Sequence, residues 1–214
     1  RVFDTAVDRL VFDVGHQCYV HKALTGRAAL FSTLRTFGGL SGFPKPYESI
    51  HDAFIAGHAS NSVSVALGMA RARTLKKENY QVLAVIGDGA LTGGLAYEGL
   101  NNAGASGEPL IIILNDNGMS IGRNVGGVAS HLSHIRIRPG YYRFKKNYHR
   151  VMRHFPGVYD HIHHLKTNLK KAIWPCSFFE DMGFQYLGPV DGHDLDQLCH
   201  VLSWAVLAGD GLLT

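Results

Sequence analysis

Continuous apolar runs alternate with segments of helical periodicity along the first half of the chain. Residues 80–89 and 109–118 each contain an apolar run that ends in glycine and acidic or amide side chains, and residues 9–15 form a shorter run ending in glycine. Between them, residues 61–77 and 90–104 carry apolar or small side chains at helical spacing. Uninterrupted apolar strands that alternate with helices are typical of a sheet covered on both faces. The pattern therefore predicts an α/β fold, a mostly parallel β-sheet with helices on both faces.

Two more elements are predicted near the end of the chain. Residues 184–190 have the composition of another strand, and residues 191–209 have the pattern of a helix. Asp194 and Gln197 have the spacing of a capping box, which marks the start of that helix. The last six residues, GDGLLT, fit a further strand poorly.

The length and composition of the chain indicate one soluble globular domain. Its 214 residues, 46% of them hydrophobic, are enough to bury a core, and we assign residues 1–214 to a single domain. The longest apolar run is far shorter than the roughly 20 residues that a membrane-spanning helix needs. We therefore expect a cytoplasmic protein without a membrane partner. Cys18, Cys176 and Cys199 lack the spacing of a metal site and are expected to be reduced.

Positive charge is concentrated in one segment of the chain. Between residues 135 and 175, ten lysines and arginines stand against a single acid, Asp160. We interpret residues 123–175 as a basic, solvated arm that is mobile, with a phosphate-binding flap as the alternative. The segment contains no recognised nucleic-acid-binding module, so we expect no nucleic acid partner. The five histidines between residues 135 and 175 lack a metal-type spacing.

Four apolar runs end in glycine next to polar side chains, and residues 52–58 form one of them. In a parallel sheet such ends meet at one edge, where ligands bind. Glycine lets the backbone approach a ligand closely, and helices that start after His58 and Gly89 would favour an anion such as a phosphate. The sequence therefore predicts four strand ends around one ligand site, in the words DVGHQ, IAGHASNS, VIGDGA and NDNGMS.

Asp88 and Asn117 are candidate magnesium ligands at two of these ends. A carboxylate oxygen and an amide oxygen both suit Mg²⁺, which usually keeps phosphate and water among its six ligands. A backbone carbonyl in the turn at 118–120 is a third candidate. The alternatives are a helix N-cap for Asp88 and a turn position for Asn117. A nucleotide hydrolase is disfavoured, because the chain has no phosphate-binding Gly-x-x-x-x-Gly-Lys-Ser/Thr loop.

These residues carry a family resemblance. Gly87-Asp88-Gly89 followed by Asn117 resembles the diphosphate and magnesium motif of thiamine-diphosphate enzymes. The surrounding words extend the likeness along nearly the whole chain and resemble the 1-deoxy-D-xylulose-5-phosphate synthase family. They are DVGHQCYVHKALTGR, GGLSGFPK, DAFIAGHASNSVSVALGMA, GDGALTGGLAYEGLNNAG, LNDNGMSI and EDMGFQYLGPVDGHD.

The resemblance implies a set of site residues. It makes Asp88, Asn117 and the carbonyl of Met119 the protein ligands of Mg²⁺, with oxygens of thiamine diphosphate and a water completing the shell. It makes His16 a contact to cofactor or substrate and the candidate catalytic residue of this chain. The remaining implied cofactor contacts are Gly57, His58, Ala59, Gly89, Ala90 and Asn117.

The resemblance also implies the reaction, a condensation of pyruvate and D-glyceraldehyde 3-phosphate to 1-deoxy-D-xylulose 5-phosphate and CO2. This transferase serves isoprenoid, thiamine and pyridoxal synthesis and is expected to be a homodimer. The family pattern implies that the chain is truncated at both ends and lacks the pyrimidine-binding domain, with its activating glutamate, and the C-terminal domain. We therefore expect the chain alone to be inactive. Ala59 and Ala28 depart from a serine and an arginine frequent in the family.

Several interpretations stay open on the sequence. Another thiamine-diphosphate enzyme, of the transketolase or dehydrogenase type, would share Asp88 and Asn117, although GGLSGFPK and GPVDGHD argue against it. A non-catalytic diphosphate-binding domain is the second alternative. His21 and Lys22 either face the substrate or lie at the surface, and His193 has no assigned role.

Overall fold

The chain folds around a five-stranded parallel sheet in the computed structural model, which describes residues 2–116, 177–187, 190–208 and 212–213. The strands are β1 (Arg9–Phe12), β2 (Val82–Gly87), β3 (Ile111–Asn115), β4 (Gln185–Tyr186) and β5 (Leu212–Leu213). Their order across the sheet is β1-β2-β3-β5-β4, and neighbouring strands are parallel. The predicted α/β class with a parallel sheet is confirmed.

Helices connect the strands. They are α1 (Tyr19–Lys22), α2 (Ser62–Lys76), α3 (Asp88–Leu91), α4 (Gly94–Ser106), α5 (Ser177–Asp181) and α6 (Leu195–Ala208). Helix α1 lies in a longer helical segment, which opens with the 3₁₀ turn His16–Cys18 and ends with a 3₁₀ stretch, Ala28–Thr33. Between α1 and that stretch, in Ala23–Arg27, the chain kinks where Thr25 and Gly26 leave the helical conformation. The predicted start of α6 is confirmed, because the Gln197 N–H donates to Oδ1 of Asp194 at 3.0 Å.

The helices cover both faces of the sheet, as predicted. Side chains of α2, α4 and α5 share one apolar core with alternate strand residues, among them Val82 and Ala84. Leu83 points to the opposite face, where it packs with Ala205 of α6. The chain steps in one direction from β1 to β4 and then back to β5. Because crossovers between parallel strands are right-handed, the backward step places α6 on the other face.

Three sequence predictions are wrong in detail. Residues 52–58 form no strand, since the Ala56 N–H donates to the Pro44 carbonyl and Ile55 is 52% exposed rather than buried in a sheet. The helix predicted at 90–104 is two helices, α3 and α4, which break around Gly93. The last residues do contain a strand, β5, which pairs with β3 and β4.

Some predictions fall outside the residues that the structure describes. These are Asn117, Met119, Cys176 and the basic arm at 123–175. Within the described ranges, Cys18 and Cys199 are free thiols, as expected, and burial raises the pKa of the Cys18 thiol. No helix in the same ranges is long and apolar enough to cross a membrane.

Candidate functional site

The turn after β1 has a strained backbone. Val14 has φ of 58° and Gly15 has φ of 94°, both in the left-handed region. For a β-branched residue such as Val14 this conformation costs on the order of 1–3 kcal/mol. Hydrogen bonds hold the turn in place: the Asp13 N–H donates to the Val85 carbonyl at 2.8 Å, and the Val14 N–H donates to the His58 carbonyl at 3.1 Å. Strain kept in this way is typical of functional sites.

Gly15 makes the turn compact enough to receive a neighbouring segment. A Cβ at this position would lie 2.7 Å from Cβ of Ala56 and 2.8 Å from Cδ of Pro44. A side chain at residue 15 would therefore push residues 44–56 away. The turn leads directly into the 3₁₀ turn that begins at His16, whose side chain is exposed at the carboxyl edge of the sheet.

A second turn, the 57–62 loop, lies beside the first. Gly57 has φ of 143°, and the side chains of His58 and Ala59 are exposed. The loop is fixed by Asp13, whose carboxylate accepts hydrogen bonds from the Ser60 N–H at 2.7 Å and the Ser62 N–H at 3.0 Å. Sequence reasoning did not single out Asp13, because its partners lie 47 and 49 residues further along the chain.

This contact corrects one expectation about anion binding. The N-terminus of α2 was expected to favour a phosphate, but an N–H of its first turn, that of Ser62, is directed at the buried carboxylate of Asp13. A carboxylate at a helix N-terminus supplies the negative charge that the helix dipole favours. The Ser62 N–H is therefore not available to a phosphate.

Asp88 lies at the end of β2, as predicted. It is the first residue of α3 and only 3% exposed, while Gly87 occupies the N-cap position. The alternative interpretation of Asp88 as an N-cap is therefore wrong. Asn115, at the end of β3, is the register partner of Gly87. The helix start also places the backbone of Gly89 and Ala90 at this edge of the sheet.

The third turn of the site is the one that leads from β2 into α3 and carries Asp88. It is attached to the 57–62 loop through Ser60. The Ser60 hydroxyl donates to the Ala90 carbonyl at 2.7 Å. Gly93 leaves room for this contact, because a Cβ at residue 93 would collide with the Ser60 side chain. The structure thus brings together the turns that carry His16, the Gly57–Ala59 residues and Asp88. It does not describe Asn117 and Met119.

The described residues offer both a carboxylate and imidazole side chains to a ligand. Asp88 supplies a buried carboxylate, and His16 and His58 supply exposed imidazoles on the adjoining turns. Within the described ranges, no group of three or more His, Cys, Asp or Glu side chains is arranged to hold a metal. Magnesium bound by one carboxylate, neutral oxygens and phosphate needs no such cluster.

A buried ion-pair cluster lies beneath the first turn. We define it as His21, Lys22, Arg27, Glu48 and Asp52. The Arg27 guanidinium donates two hydrogen bonds to Asp52, at 2.7 and 2.8 Å, and Nε2 of His21 lies 3.1 Å from Oδ1 of the same carboxylate. Burial alone would raise the pKa of the Asp52 carboxyl, but these groups and the Lys45 N–H hold it well below its ordinary value.

Lys22 is the most buried member of the ion-pair cluster. Its side chain is fully buried, and Nζ donates to Oε2 of Glu48 at 2.6 Å and to the Ser41 carbonyl at 2.8 Å. The interpretation of Lys22 as a surface residue is therefore wrong, and its ammonium group faces Glu48. The His21 side chain, 10% exposed, is also directed at Asp52. Both residues hold residues 41–52 against the helical segment that follows His16.

His193 stays apart from these turns. It lies in the turn before α6, with its side chain fully exposed and its N–H donating to Oδ1 of Asp191 at 3.0 Å. This turn follows β4, which is separated from β2 by β3 and β5.

Comparison with known proteins decides the family. A family model described as 1-deoxy-D-xylulose-5-phosphate synthase matches residues 1–211. The chain belongs to the 1-deoxy-D-xylulose-5-phosphate synthase family. Synthases of this name from Clostridium kluyveri and Clostridium tetani are each 53% identical to it, over 208 and 209 residues. The predicted family is confirmed, and another thiamine-diphosphate enzyme is not favoured.

The match to these synthases is partial in length. It covers 95% and 96% of this chain but 33% and 34% of the two relatives. The chain thus spans about a third of the length of the curated synthases that it matches.

Solved structures extend the comparison at the level of the fold. The transketolases of Leishmania mexicana and Campylobacter jejuni each match with a TM-score of 0.62, at 18% and 21% sequence identity. Each match covers 98% of this chain and 28% of the transketolase. At this identity the likeness concerns the fold alone, and the synthase family chain has a transketolase-like fold.

Proposed function

We propose that this chain forms the diphosphate- and magnesium-binding part of a thiamine-diphosphate-dependent transferase. The complete enzyme would condense pyruvate and D-glyceraldehyde 3-phosphate to 1-deoxy-D-xylulose 5-phosphate and CO2. The observation that carries the proposal is the convergence of three turns at one edge of the sheet, joined by the hydrogen bonds of Val14, Asp13 and Ser60. Membership of the synthase family over residues 1–211 supports the choice of reaction.

Each described site residue has a role that its position supports. Asp88 would hold Mg²⁺ through its carboxylate, together with Asn117 and the carbonyl of Met119. His16 and His58 are exposed, so their imidazoles can donate hydrogen bonds to diphosphate oxygens. The remaining proposed contacts are made by the backbone of Gly57, Ala59, Gly89 and Ala90.

The protein and the cofactor divide the work. Thiamine diphosphate, when bound, supplies the carbanion chemistry that removes CO2 from pyruvate and joins two carbons to the aldehyde. The residues of this chain bind and orient the diphosphate. The pyrimidine-binding domain, the homodimer, the cytoplasmic location and the two substrates are proposed on the family alone.

Calorimetry tests the cofactor site directly. The chain is titrated with thiamine diphosphate with and without Mg²⁺, beside Asp88→Asn and the control Asp194→Asn. Asp194 is a carboxylate that caps α6 after β4, away from the three turns. We expect magnesium-dependent binding that Asp88→Asn abolishes and Asp194→Asn leaves unchanged. Binding that needs no Mg²⁺ and survives Asp88→Asn would overturn the metal assignment.

Activity requires a protein of full synthase length. Residues 1–211 replace the matching third of the Clostridium kluyveri synthase, and formation of 1-deoxy-D-xylulose 5-phosphate from the two substrates is measured. We expect turnover that Asp88→Asn removes. A folded chimera that binds the cofactor but forms no product, beside an active parent synthase, would count against the proposed reaction and leave the binding role in place.

A further inference from the structure

The buried carboxylate of Asp13 holds the backbone of the 57–62 loop in place. The residue is 1% exposed and directly follows β1, and its own N–H is bonded to the Val85 carbonyl of β2. Its two carboxylate oxygens each accept a backbone N–H from the 57–62 loop, those of Ser60 and Ser62. One buried residue therefore connects the sheet through its backbone N–H and the 57–62 loop through its carboxylate.

The loop adopts a strained conformation where it meets this carboxylate. Ser60 has φ of 70°, which is unusual for a residue with a side chain. In this conformation Ser60 makes two hydrogen bonds: its N–H donates to the Asp13 carboxylate, and its hydroxyl donates to the Ala90 carbonyl. Ser60 thereby transmits the position of Asp13 to the start of α3, next to Asp88.

We propose that Asp13 is a positioning residue, which sets the His16 turn and the 57–62 loop for an anionic ligand. The proposal rests on the proposed function for the identity of the ligand, thiamine diphosphate with Mg²⁺. Asp13 itself acts through His16, His58 and Ser60.

Asp8 provides a matched control at the opposite end of β1. Its carboxylate also accepts two backbone N–H groups, from Gln81 at 2.7 Å and from Asp4 at 2.8 Å. It precedes β1, whereas Asp13 follows it, so the two acids make similar contacts at opposite edges of the sheet. Asp13→Asn and Asp8→Asn therefore separate positioning of the site from general support of the fold.

The experiment combines calorimetry with amide hydrogen exchange on the complete chain. We expect Asp13→Asn to weaken binding of thiamine diphosphate with Mg²⁺ about tenfold or more, because hydrogen bonds to a charged group are lost. Asp8→Asn should leave the Kd within about twofold when both are measured well below their Tm. The Ser60 and Ser62 amides should exchange slowly in the wild type and in Asp8→Asn, and fast in Asp13→Asn.

The outcomes separate this proposal from the proposed function. Equal losses of affinity in the two variants, or an unchanged Kd in Asp13→Asn, would overturn the positioning role and leave the cofactor site standing. If Asp13→Asn fails to fold, the wild-type chain still decides, because fast exchange at Ser60 and Ser62 would contradict the contact itself. If the wild-type chain binds no cofactor, the proposed function fails, and amide exchange in the two variants alone decides whether Asp13 fixes the 57–62 loop.

Discussion

Two charged regions of the molecule lie next to each other and are organised in opposite ways. In the ion-pair cluster, buried cations meet buried anions, and Arg27 and Lys22 contact Asp52 and Glu48 at 2.6 to 2.8 Å. At the three turns, histidine side chains are exposed, and the acid Asp13 is balanced by backbone N–H groups rather than by a basic side chain.

The difference distinguishes charged groups that support the fold from groups that are exposed to a ligand. The ion-pair cluster pairs its cations with its own anions, although the buried Nε of Arg27 has no hydrogen-bond partner among the described residues. The turns place exposed histidines on a backbone that is strained at Val14 and Ser60. Hydrogen bonds from the Val14 N–H to the His58 carbonyl and from the Ser60 N–H to Asp13 hold this backbone in place. Strained backbone supported in this way is a recurrent property of binding sites. The comparison predicts that changes in the cluster act on stability, and changes in the turns act on binding.

The largest effect on stability is expected from Asp52→Ala. The substitution leaves the Arg27 guanidinium buried without its carboxylate, which costs about 3–5 kcal/mol of unfolding free energy. The measurement is urea denaturation beside Asp194→Ala, a helix-cap control expected to cost about 1 kcal/mol. Replacing both partners, as Asp52→Leu with Arg27→Met, should recover most of the loss. A single-variant loss no larger than that of the control would contradict the structural role of the pair.

The same pair predicts an acid-sensitive contribution to stability. The folded-state pKa of Asp52 lies below its unfolded value, which is about 4. The ionised carboxylate therefore stabilises the fold above about pH 4, and this contribution is lost as the pH falls further. Urea midpoints are compared for the wild type and Asp52→Asn between about pH 6 and 2.5. We expect the difference between them to shrink below about pH 4, and a constant difference would refute the linkage.

An intermediate effect is expected where the turns meet. In Gly93→Ala the new Cβ lies within 2.8 Å of Cβ of Ser60, which must move. The backbone at Gly93 has φ of −77°, so crowding rather than conformation causes a loss of about 1–3 kcal/mol. Gly94→Ala is the matched control, because nothing lies within 4 Å of its added Cβ. We expect Gly93→Ala alone to weaken cofactor binding in calorimetry, and equal behaviour of the two variants would be evidence against the Ser60 contact.

The smallest effect on stability is expected at the exposed histidines. His16→Asn and His58→Asn should change the unfolding free energy by no more than about 0.5 kcal/mol, as is usual for surface substitutions. Each should nevertheless weaken binding of thiamine diphosphate with Mg²⁺ several-fold, since a hydrogen-bond donor to the diphosphate is replaced. His193→Asn, an exposed histidine after β4, should leave the Kd unchanged. Destabilisation by several kcal/mol would mean that His16 and His58 belong to the architecture instead.

Local sequence patterns correctly predicted the strands and helices whose formation depends on neighbouring residues. The apolar runs at β2 and β3 are buried on both faces, and α6 begins at the acid whose spacing indicated a cap. Residues 52–58 were misassigned because a short apolar run has the same composition in a strand and in an irregular segment. What distinguishes them is a distant contact, the pairing of Asp52 with Arg27 across 25 positions.

The sequence indicated the proposed ligand contacts of the site but not Asp13, which holds the 57–62 loop in place. Glycine and histidine words located the turns, and Asp88 was found because it follows a buried strand. Asp13 was overlooked although it also follows a strand, since its partners come 47 and 49 positions later. Asn61 pointed away from it, because asparagine is a favoured N-cap residue, and only the structure shows that its side chain does not cap α2 and that the Ser62 N–H donates to Asp13 instead.

The strand order has a consequence for the way the chain is assembled. β5 comes last among the described strands yet lies between β3 and β4, and the sheet pairs β4 with β5 rather than with β3. The half of the sheet that carries His16, His58 and Asp88 can thus form early during synthesis, whereas among the described strands β4 pairs only with β5, which is complete once residues 212–213 have emerged. Removing residues 209–214 should therefore leave amide protection in β1, β2 and β3 and abolish it in β4, which would mean that the half of the sheet bearing the three turns folds before the rest.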